Sequence, residues 1–551
     1  MYTGAAKIVF KTIDISELVP AVATSIGAIV IAAEKGNVDN PVLVTNKAQF
    51  IQEFGKTKVP ANYADAGELN KLGKHAAMGF LQTGRRLYVQ RVVASDAKYG
   101  GAFVVKNGSS NPNAAIAAGV AIPSAYVFGT DQLFAIFGKD PGVWNDDLAV
   151  TVTTTDVTNK IFKIEVYSKD EDGVYQLVES FDVSRKRQTD GYGTQLYLEN
   201  VINGASGYIK VKDNTAELDT VMPKDSTLVP PDVSALYFDK GADGTAAAAA
   251  EFIAGWGKFS NKAEYAVNIL INGGKTDVTV QQEMRDIAED RVDCTCILDM
   301  PYASINSVAN MVTFRTVTQN FNTSFAAIYG PWIKIFDDYN GQIVSIPPSG
   351  DIAAVYATTD YIYGAAHGAP AGYNRGILGR ALQLSFGSDL TKKALTPDEM
   401  DTLDDNNINS LLNDPGWGIL VFGEETQQSK RSALSNVHVR RLLNQIAVST
   451  TRAAKSYLYE PLLDRTYFRV RMAMEQYMAE LEGLGAFDNV NDRGWKVVCD
   501  ATNNTASDRD QNQMNVWLFI KPVKVAKYIE IKAIITRSTA SFEAVIAAGI
   551  V

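Results

Sequence analysis

The chain has 551 residues, of which 46% are hydrophobic and 21% charged, and its formal net charge is -10. This length exceeds what one hydrophobic core usually serves, so it predicts two to four globular domains with little disorder. The acidic balance argues against nucleic acid as a partner, because phosphate binding needs a clustered basic surface.

The cysteine content and the apolar runs bear on the compartment. The three cysteines are too few for a disulfide framework and favour a reducing compartment; they are Cys294, Cys296 and Cys499. The first residues lack the basic and then apolar layout of a signal peptide. The longest apolar run, residues 26–33, is far shorter than the roughly 20 residues that span a bilayer. We therefore expect synthesis in the cytosol and no direct membrane insertion.

Residues 1–20 read as an amphipathic strand placed ahead of any domain. Apolar and polar residues alternate there with one slip, which is the period of a strand with one buried face. The apolar positions are Ile8, Phe10, Ile13 and Ile15. This strand has no obvious partner nearby, so we predict an amino-terminal arm.

Residues 21–94 are predicted to begin an α/β core, with a strand at 25–34, a helix over 66–82 and a strand at 85–93. Helical periodicity is then lost over 95–240, where short alternating runs are separated by turn signals. These runs are at 147–155, 160–168, 175–183, 194–202 and 208–212. Their spacing predicts an all-β sandwich or barrel.

Helix and strand patterns alternate again from Thr245, so residues 241–415 are predicted to continue the α/β core with a mostly parallel sheet. Residues 21–94 supply only two or three strands by themselves. The simplest arrangement is one α/β core of mixed sheet that carries the all-β domain, residues 95–240, as an insertion in a loop.

The stretch from Asn413 to Arg537 predicts a strand, two long helices and two long strands. An unpaired strand exposes a row of backbone donors and acceptors, and must be covered or given to another chain. We predict a carboxyl-terminal strand arm and tail over 523–551. Its apolar face carries Ile529, Ile531 and Ile535.

The helix predicted over 465–482 has an apolar stripe at a spacing of three and four, which is a packing face. Arg465 and Arg469 share another face, with Arg471 beside it. One interpretation is a solvated basic patch. The other is a docking face for an acidic partner surface.

Motifs for catalysis or cofactors are weak. Two Gly-Lys-Thr tripeptides, at 55–57 and 274–276, lack the glycine four residues earlier that a P-loop requires. Cys294 and Cys296 lie on one face of a predicted strand, without the further ligands that zinc needs. His367 lies in a Gly/Ala/Pro loop with no nucleophile-elbow pattern nearby, and His438 is surrounded by arginines. We predict no enzyme activity, cofactor or metal.

Motifs along nearly the whole chain resemble those of the tail sheath proteins of contractile-tailed bacteriophages. The opening stretch 22–55 resembles the start of that family, and 140–150 resembles its Pro-Gly-x-Trp-Gly-Asn-x-Leu-x-Val, with Asn145 and Asp146 departing from the pattern. Further resemblances, in order, are at 241–244, 346–360, Trp417-Gly418, 436–441, Tyr459-Glu460-Pro461, Cys499-Asp500 and Lys521-Pro522-Val523. The tail from 536 to 551 is most similar to sheaths of T-even-type phages.

This resemblance implies a fold and a function. The fold would be an α/β core with a subtilisin-like layer, and residues 416–522 would form the carboxyl-terminal domain of the family. Subunits would form six-membered rings that stack helically around a tail tube, between baseplate and tail terminator proteins. Terminal arms would add strands to sheets of neighbouring subunits, and contraction would drive the tube through the host envelope.

The resemblance also implies a place for the protein and for the helix over 465–482. The protein would belong to the virion tail and be assembled in the host bacterial cytoplasm. The helix would face the tube, which makes Arg465, Arg469 and Arg471 candidate contacts. Two alternatives stay open: the sheath of an extracellular contractile injection system or phage-tail-like bacteriocin, and an α/β hydrolase. A secreted adhesin is disfavoured because no signal peptide is predicted.

Overall fold

A computed structural model describes residues 24–117, 119–121, 123–170, 172–226, 236–490 and 492–527. These residues belong to two compact units, which meet in the chain between Ser456 and Tyr457. The arm positions predicted at Ile8, Phe10, Ile13, Ile15, Ile529, Ile531 and Ile535 lie outside the described residues. The domain boundaries proposed above stay predictions.

The helices and strands of the described residues have the following bounds. The helices are α1 (Lys47–Phe54), α2 (Ala66–Leu69), α3 (Leu72–Phe80), α4 (Leu198–Ala205), α5 (Ala249–Gly257), α6 (Val278–Arg291), α7 (Val308–Thr313), α8 (Ser349–Tyr363), α9 (Pro397–Asp405), α10 (Val437–Ala454), α11 (Asp464–Gly483) and α12 (Ala506–Asp510). The strands up to the second half of the core are β1 (Gly27–Ala32), β2 (Val42–Val44), β3 (Leu87–Val92), β4 (Gly101–Val105), β5 (Ala114–Ala115), β6 (Gln132–Gly138), β7 (Leu148–Asp156), β8 (Ile161–Lys169), β9 (Tyr175–Val183), β10 (Ile209–Asp213) and β11 (Leu236–Tyr237). The remaining strands are β12 (Ile269–Ile271), β13 (Thr295–Asp299), β14 (Ala326–Gly330), β15 (Trp332–Asp337), β16 (Gln342–Ile346), β17 (Ala381–Ser385), β18 (Asn409–Asp414), β19 (Gly418–Val421), β20 (Trp495–Val498) and β21 (Trp517–Ile520).

The first unit is organised around a mixed eight-stranded sheet in the order β19-β18-β14-β13-β12-β1-β3-β2. The six inner strands run parallel, and the edge strands β2 and β19 are antiparallel to their neighbours. Inner strands such as β1, β12 and β14 are almost entirely apolar, as expected where helices cover both faces of a sheet. The mixed α/β sheet is confirmed, and its strands come from both sides of residues 95–240 in sequence.

Residues 95–240 contain two four-stranded sheets, β10-β6-β4-β5 and β11-β7-β8-β9. Buried side chains of both sheets form a single hydrophobic cluster, which includes Phe134 and Phe162 stacked at 5.6 Å. One predicted strand is wrong, because much of 194–202 belongs to helix α4. Leu198 and Ile202 lie one helical turn apart and are both buried, and this spacing favours a helix over a strand.

Two predicted helices are interrupted. The helix expected over 66–82 is split into α2 and α3 by a turn at Asn70 and Lys71, and α3 ends at Phe80. The sequence from 304 to 319 also predicts a single helix; the structure has α7 there, which runs into a π-helix over Phe314–Gln319. At the first interruption Asn70 donates to Ala247 O, and at the second Arg315 donates to Gln427 O. Helix propensity is a local property and does not predict such distant partners.

Arg91 joins the α/β core to the all-β region. It is fully buried at the end of β3, and burial lowers the pKa of its guanidinium to about 10. Its Nε and terminal nitrogens donate to the carbonyls of Ala33, Glu34 and Gly36, and also to Pro141 in the all-β region. A guanidinium that binds carbonyls of both regions at once holds them in a fixed geometry.

Asp299 connects the end of β13 to the first turn of α8. Its Oδ1 accepts from Ser349 N at 2.9 Å, and its Oδ2 accepts from Ser349 Oγ at 2.6 Å and from Gly274 N at 3.1 Å. Burial raises the pKa of Asp299 to about 7, although these three hydrogen bonds act in the opposite direction.

The raised pKa predicts a pH dependence that Asp299→Asn removes. Because the folded-state pKa lies above the value of about 3.9 expected when unfolded, the folded chain binds this proton more tightly. The resulting stabilisation is complete below pH about 4 and is lost as the pH rises through about 7. The free energy of unfolding of the wild type minus that of Asp299→Asn should therefore fall over this range, by at most about 4 kcal/mol.

Urea unfolding of dilute protein from pH 4 to pH 8 measures this difference. Asp405→Asn, at an exposed position of α9, is the matched control. A difference between the wild type and Asp299→Asn that is the same at every pH would contradict the prediction.

Candidate strand-addition edges and a basic helix face

The second unit contains a two-stranded antiparallel sheet, β20 with β21, in which Trp495 pairs with Ile520 and Val498 with Trp517. Each strand has one hydrogen-bonded neighbour among the described residues. Each therefore leaves one edge without a strand beside it. Such an edge is the usual acceptor for an added strand, because its backbone groups still need partners.

The hydrogen bonds between β20 and β21 determine which backbone groups point outward. Lys521 N donates to Gly494 O at 2.7 Å. Hydrogen-bonded pairs alternate with unbonded pairs in an antiparallel ladder, so the next bonded pair is Lys496 with Phe519. The groups that point away from the partner strand belong to Trp495 and Val497 on β20 and to Leu518 and Ile520 on β21.

One face of this sheet is buried. Trp495 and Val497 are buried, and β20 packs against α11. Trp495 Nε1 donates to Glu482 Oε2 of α11 at 2.9 Å, and the guanidinium of Arg493 lies 3.7 Å from the Trp495 ring centroid. These contacts orient β20 on the helix and leave its outer edge open.

The opposite face exposes two aromatic rings. Trp517 is 51% exposed and Phe519 is 54% exposed. The two rings meet edge to face, with centroids 6.5 Å apart. Exposed aromatic side chains beside an open edge give apolar surface to a strand that is added there.

Asparagines of the connection between β20 and β21 hold the two strands in register. Asn503 Nδ2 donates to Val498 O at 3.0 Å and to Asn515 O at 2.9 Å. Asn515 N donates to Asn504 Oδ1 at 2.6 Å. Asn503 and Asn504 are both buried, so their hydrogen bonds are protected from competition with water.

Helix α11 has the buried stripe that its sequence predicts. The buried members are Tyr467, Val470, Met474, Tyr477, Met478 and Leu481. Arg465 and Arg469 are exposed and lie one turn apart. Phe468, 53% exposed, and Met472, 49% exposed, lie on the same side of the helix. The exposed face is therefore apolar as well as basic.

Two carboxylates of its own unit lie near Arg471. Its guanidinium lies 3.8 Å from carboxylate oxygens of Glu475 and Asp500, and 5.5 Å from the ring centroid of Phe468. The Arg469 guanidinium lies 5.6 Å from the ring centroid of Tyr457. Arg471 is thus partly neutralised within its own unit, and the role predicted for the three arginines stays a prediction.

The three histidines are accounted for by packing and hydrogen bonding. His75 is bonded to a backbone carbonyl, and burial lowers its pKa to about 4. The rings of His367 and Tyr363 meet edge to face at 5.0 Å. His438 Nδ1 lies 2.6 Å from Glu424 Oε2, a partner 14 residues earlier that the neighbouring arginines did not indicate.

The described residues contain neither a candidate metal site nor a candidate membrane span. No cluster of three or more His, Cys, Asp or Glu side chains there has an arrangement suited to a metal ion. In that same part of the chain, no helix has both the length and the apolar character needed to cross a membrane.

Comparisons with known proteins bear on the unit that carries these edges. A family model, the phage tail sheath C-terminal domain, matches residues 429–536. The tail sheath protein of Enterobacteria phage T4 is 29% identical over 316 residues, which is 54% of this chain and 46% of that protein. Over about half of its length the chain is similar to contractile phage tail sheath proteins. The tail sheath protein of Vibrio phage KVP40 is 28% identical over 336 residues, 57% of this chain and 48% of that protein.

This chain therefore spans about half the length of the curated sheath proteins it matches. Solved structures agree over more of the chain. The sheath tail protein of Listeria innocua superposes with a TM-score of 0.55 at 12% identity, over 91% of this chain and 96% of that one. The helical sheath of the anti-feeding prophage in its contracted state gives 0.53 at 14% identity, over 97% and 99%. At such identities the similarity establishes a shared fold.

Sequence reasoning missed the asparagine cluster and the exposed rings of β21. Asn503, Asn504 and Asn515 were assigned no role. The alternation of Trp517 and Phe519 with Leu518 and Ile520 was a usable signal, because alternate residues of a strand share a face.

Removing the Asn503 amide should destabilise the second unit. Asn503→Ala leaves the Val498 and Asn515 carbonyls without this donor, which costs about 1–3 kcal/mol for buried groups. Hydrogen-deuterium exchange of the β20 and β21 amides in increasing urea measures the loss in this unit. Gln511→Ala, at an exposed position, is the control. Equal stability of both variants would show that the cluster does not hold the strands.

Proposed function

We propose that this chain is a structural subunit of a contractile phage tail sheath. The observation that carries the proposal is the sheet of β20 and β21, which has two open edges among the described residues and lies within the residues matched by the sheath domain model. Copies of the chain would form homo-hexameric rings that stack into a helical polymer around a tail tube. Baseplate and tail terminator proteins would bind its ends, and the chain would have no catalytic role.

Strand addition would link the copies. The amino-terminal arm, with Ile8, Phe10, Ile13 and Ile15, and the carboxyl-terminal arm, with Ile529, Ile531 and Ile535, would pair with open edges of neighbouring subunits. Main-chain hydrogen bonds supply affinity in this mode and alternate side chains supply specificity. The polymer would assemble in the host bacterial cytoplasm and belong to the virion tail.

The energy of one such joint is modest. Burying an apolar side chain stabilises by roughly 1.5–3 kcal/mol, whereas ordering the backbone costs about 1–2 kcal/mol for each residue. A joint with three or four buried side chains therefore depends on its backbone ladder as well. Holding each subunit at several joints adds the effect of multivalency.

Joints made of backbone hydrogen bonds suit a polymer that changes its pitch. A paired arm keeps its hydrogen bonds while the subunits rotate about it, so the lattice passes from an extended to a shorter state without dissociating. Contraction of this kind would drive the tube through the host envelope. We further propose that the α/β core has a subtilisin-like layer and that residues 95–240 form a sandwich or barrel on its outside.

A sheath of an extracellular contractile injection system is the second candidate. It is favoured by the fold shared with the PVC sheath of such a system, which has a TM-score of 0.51 at 16% identity over 99% of both chains. Sequence identity to phage proteins is higher, which favours the phage. Electron microscopy of particles from the native source distinguishes the two candidates, because a phage tail is attached to a capsid.

The proposal predicts that Leu518→Pro abolishes polymerisation and leaves the subunit folded. The N–H of Leu518 points away from β20, so proline there removes a donor from the open edge alone. Negative-stain electron microscopy of the purified wild type should show long hollow striated tubes, and the variant should stay unassembled. Deleting residues 523–551 should have the same effect.

Phe519→Pro is the matched control for this edge. Its N–H belongs to the ladder with β20, so this substitution should destabilise the sheet itself, as measured by thermal unfolding. A wild type that never polymerises would contradict the proposed function. Normal tubes from Leu518→Pro would contradict the use of this edge.

The basic face of α11 is proposed to contact the tube. Replacing Arg465 and Arg469 together by Glu should weaken binding to an acidic tube surface at least tenfold, because the change reverses two exposed charges. Arg471→Glu should have a smaller effect, since Glu475 and Asp500 already lie near that side chain. Co-sedimentation with tail tubes measures the binding.

Measuring self-polymerisation shows whether the charge reversal affects tube binding alone or the assembly of the sheath in general. Arg452→Glu, on the exposed side of α10, is the control for a charge reversal elsewhere. The double variant at 465 and 469 should still form empty sheaths. Loss of empty sheaths with normal tube binding would contradict the assignment.

A further inference from the structure

Residues 436–441, Asn-Val-His-Val-Arg-Arg, resemble a sheath family motif that strand addition does not explain. They form the beginning of α10. The same helix ends at Ala454, two residues before the chain passes into the second unit. The way in which the first turns of α10 are attached to the core thus determines how firmly this connection is held.

Polar contacts attach the first turns of α10 to the core. Val437 N donates to Glu424 O at 2.9 Å, and His438 Nδ1 lies 2.6 Å from Glu424 Oε2. The Arg440 guanidinium lies 4.2 Å from the ring centroid of Phe325. Helices usually pack on sheets through apolar side chains, so buried polar groups here need specific partners and allow little sliding.

The next turn of α10 continues the same pattern. Asn444 Nδ2 donates to Cys294 O at 3.0 Å, just before β13 begins. Gln445 Oε1 accepts from Ala366 N at 2.8 Å, in the loop that follows α8. The helix is therefore tied to several separate segments of the first unit.

Arg441 makes the most directional of these contacts. Its two terminal nitrogens donate to Asp360 Oδ1 at 2.8 Å and Oδ2 at 2.6 Å, and both side chains are buried. The guanidinium lies 4.5 Å from the ring centroid of Tyr356. A bidentate pair stacked on a ring fixes the plane of the guanidinium as well as its position.

The same guanidinium also reaches the start of the described chain. Arg441 also donates to Thr24 O at 3.3 Å. β1 begins three residues later and lies between β12 and β3 in the main sheet. Arg441 thus binds the chain where it enters an inner strand, directly after the segment that carries the proposed amino-terminal arm.

We propose that Arg441 is a positioning residue that joins the root of the amino-terminal arm to the helix leading into the carboxyl-terminal unit. A pull on the arm in an assembled sheath would reach α10 through the buried guanidinium of Arg441 and α8 through its partner Asp360, which also hydrogen bonds Thr24. It would not have to be carried by the strands of the main sheet alone. This role rests on the proposed function, because such a pull exists only if a neighbouring subunit holds the arm.

Lysine cannot replace arginine in this role. Arg441 serves two carboxylate oxygens and a carbonyl at once through a rigid planar fork. A lysine ammonium keeps the charge but is a point donor on a flexible stem, so it holds Asp360 and releases Thr24. Arg441→Lys therefore keeps the buried positive charge and removes the hydrogen bond to Thr24, so it tests the hydrogen bond by itself.

Hydrogen-deuterium exchange of the unassembled subunit tests the contact itself. In Arg441→Lys, amides at residues 25–27 should exchange at least tenfold faster than in the wild type. Asp360 also hydrogen bonds Thr24, so Asp360→Asn weakens the same junction, should raise exchange there as well, and serves as the test if Arg441→Lys does not fold. Arg452→Lys, on the exposed side of α10, should behave as the wild type. Unchanged exchange in Arg441→Lys would overturn the inference.

Assembled sheaths test the mechanical role. Sheaths of Arg441→Lys should dissociate at a lower urea concentration than sheaths of the wild type or Arg452→Lys, although the subunits have similar thermal unfolding midpoints. If Arg441→Lys exchanged faster at residues 25–27 but its sheaths resisted urea as well as those of the wild type, Arg441 would not transmit a pull on the arm. A wild type that forms no sheath would contradict the proposed function, while the exchange measurement would still decide the contact.

Discussion

Backbone N–H and C=O groups at the edge of a β-sheet need partners, and the proposed assembly depends on this requirement. In the second unit the amides of Leu518 and Ile520 face outward, away from β20. The asparagines around Asn503 fix the two strands so that this edge keeps its position when unpaired. An added strand would then meet a preformed template, which reduces the entropy lost on binding.

The first unit is held together by a large sheet and by buried polar contacts. Six parallel inner strands form its centre, and buried polar anchors close its joints with the all-β region and with α10. Arg91 binds carbonyls of both regions, Asp299 connects β13 to α8, and Arg441 connects α8 to α10. Each of these anchors is buried and directional, so displacing one leaves polar groups without partners. Rotation of whole subunits would then be easier than bending within one.

Periodicity was sufficient to predict β1, β3 and the stripe of α11, but it did not predict β2 or β18 of the main sheet. Apolar runs such as Ile26 to Ala33 and the spacing from Tyr467 to Leu481 leave few alternatives. It failed at α4, where Leu198 and Ile202 fit both periods over a short stretch. It also failed at Asn70, where a buried side chain bonded to Ala247 O accompanies the break between α2 and α3. Partners so distant in sequence leave no local signal.

The candidate site was predictable in part. The alternation around Trp517 indicated a strand, and the arginines of α11 indicated a basic face. The sequence did not predict the open edge, nor the carboxylates of Glu475 and Asp500 near Arg471, because both depend on the three-dimensional arrangement of the chain. A cryo-EM reconstruction of the polymer formed by this chain tests the central claim most directly. We predict a strand from another copy hydrogen-bonded along Leu518 and Ile520, and a polymer in which that edge is bare or filled by the same copy would contradict it.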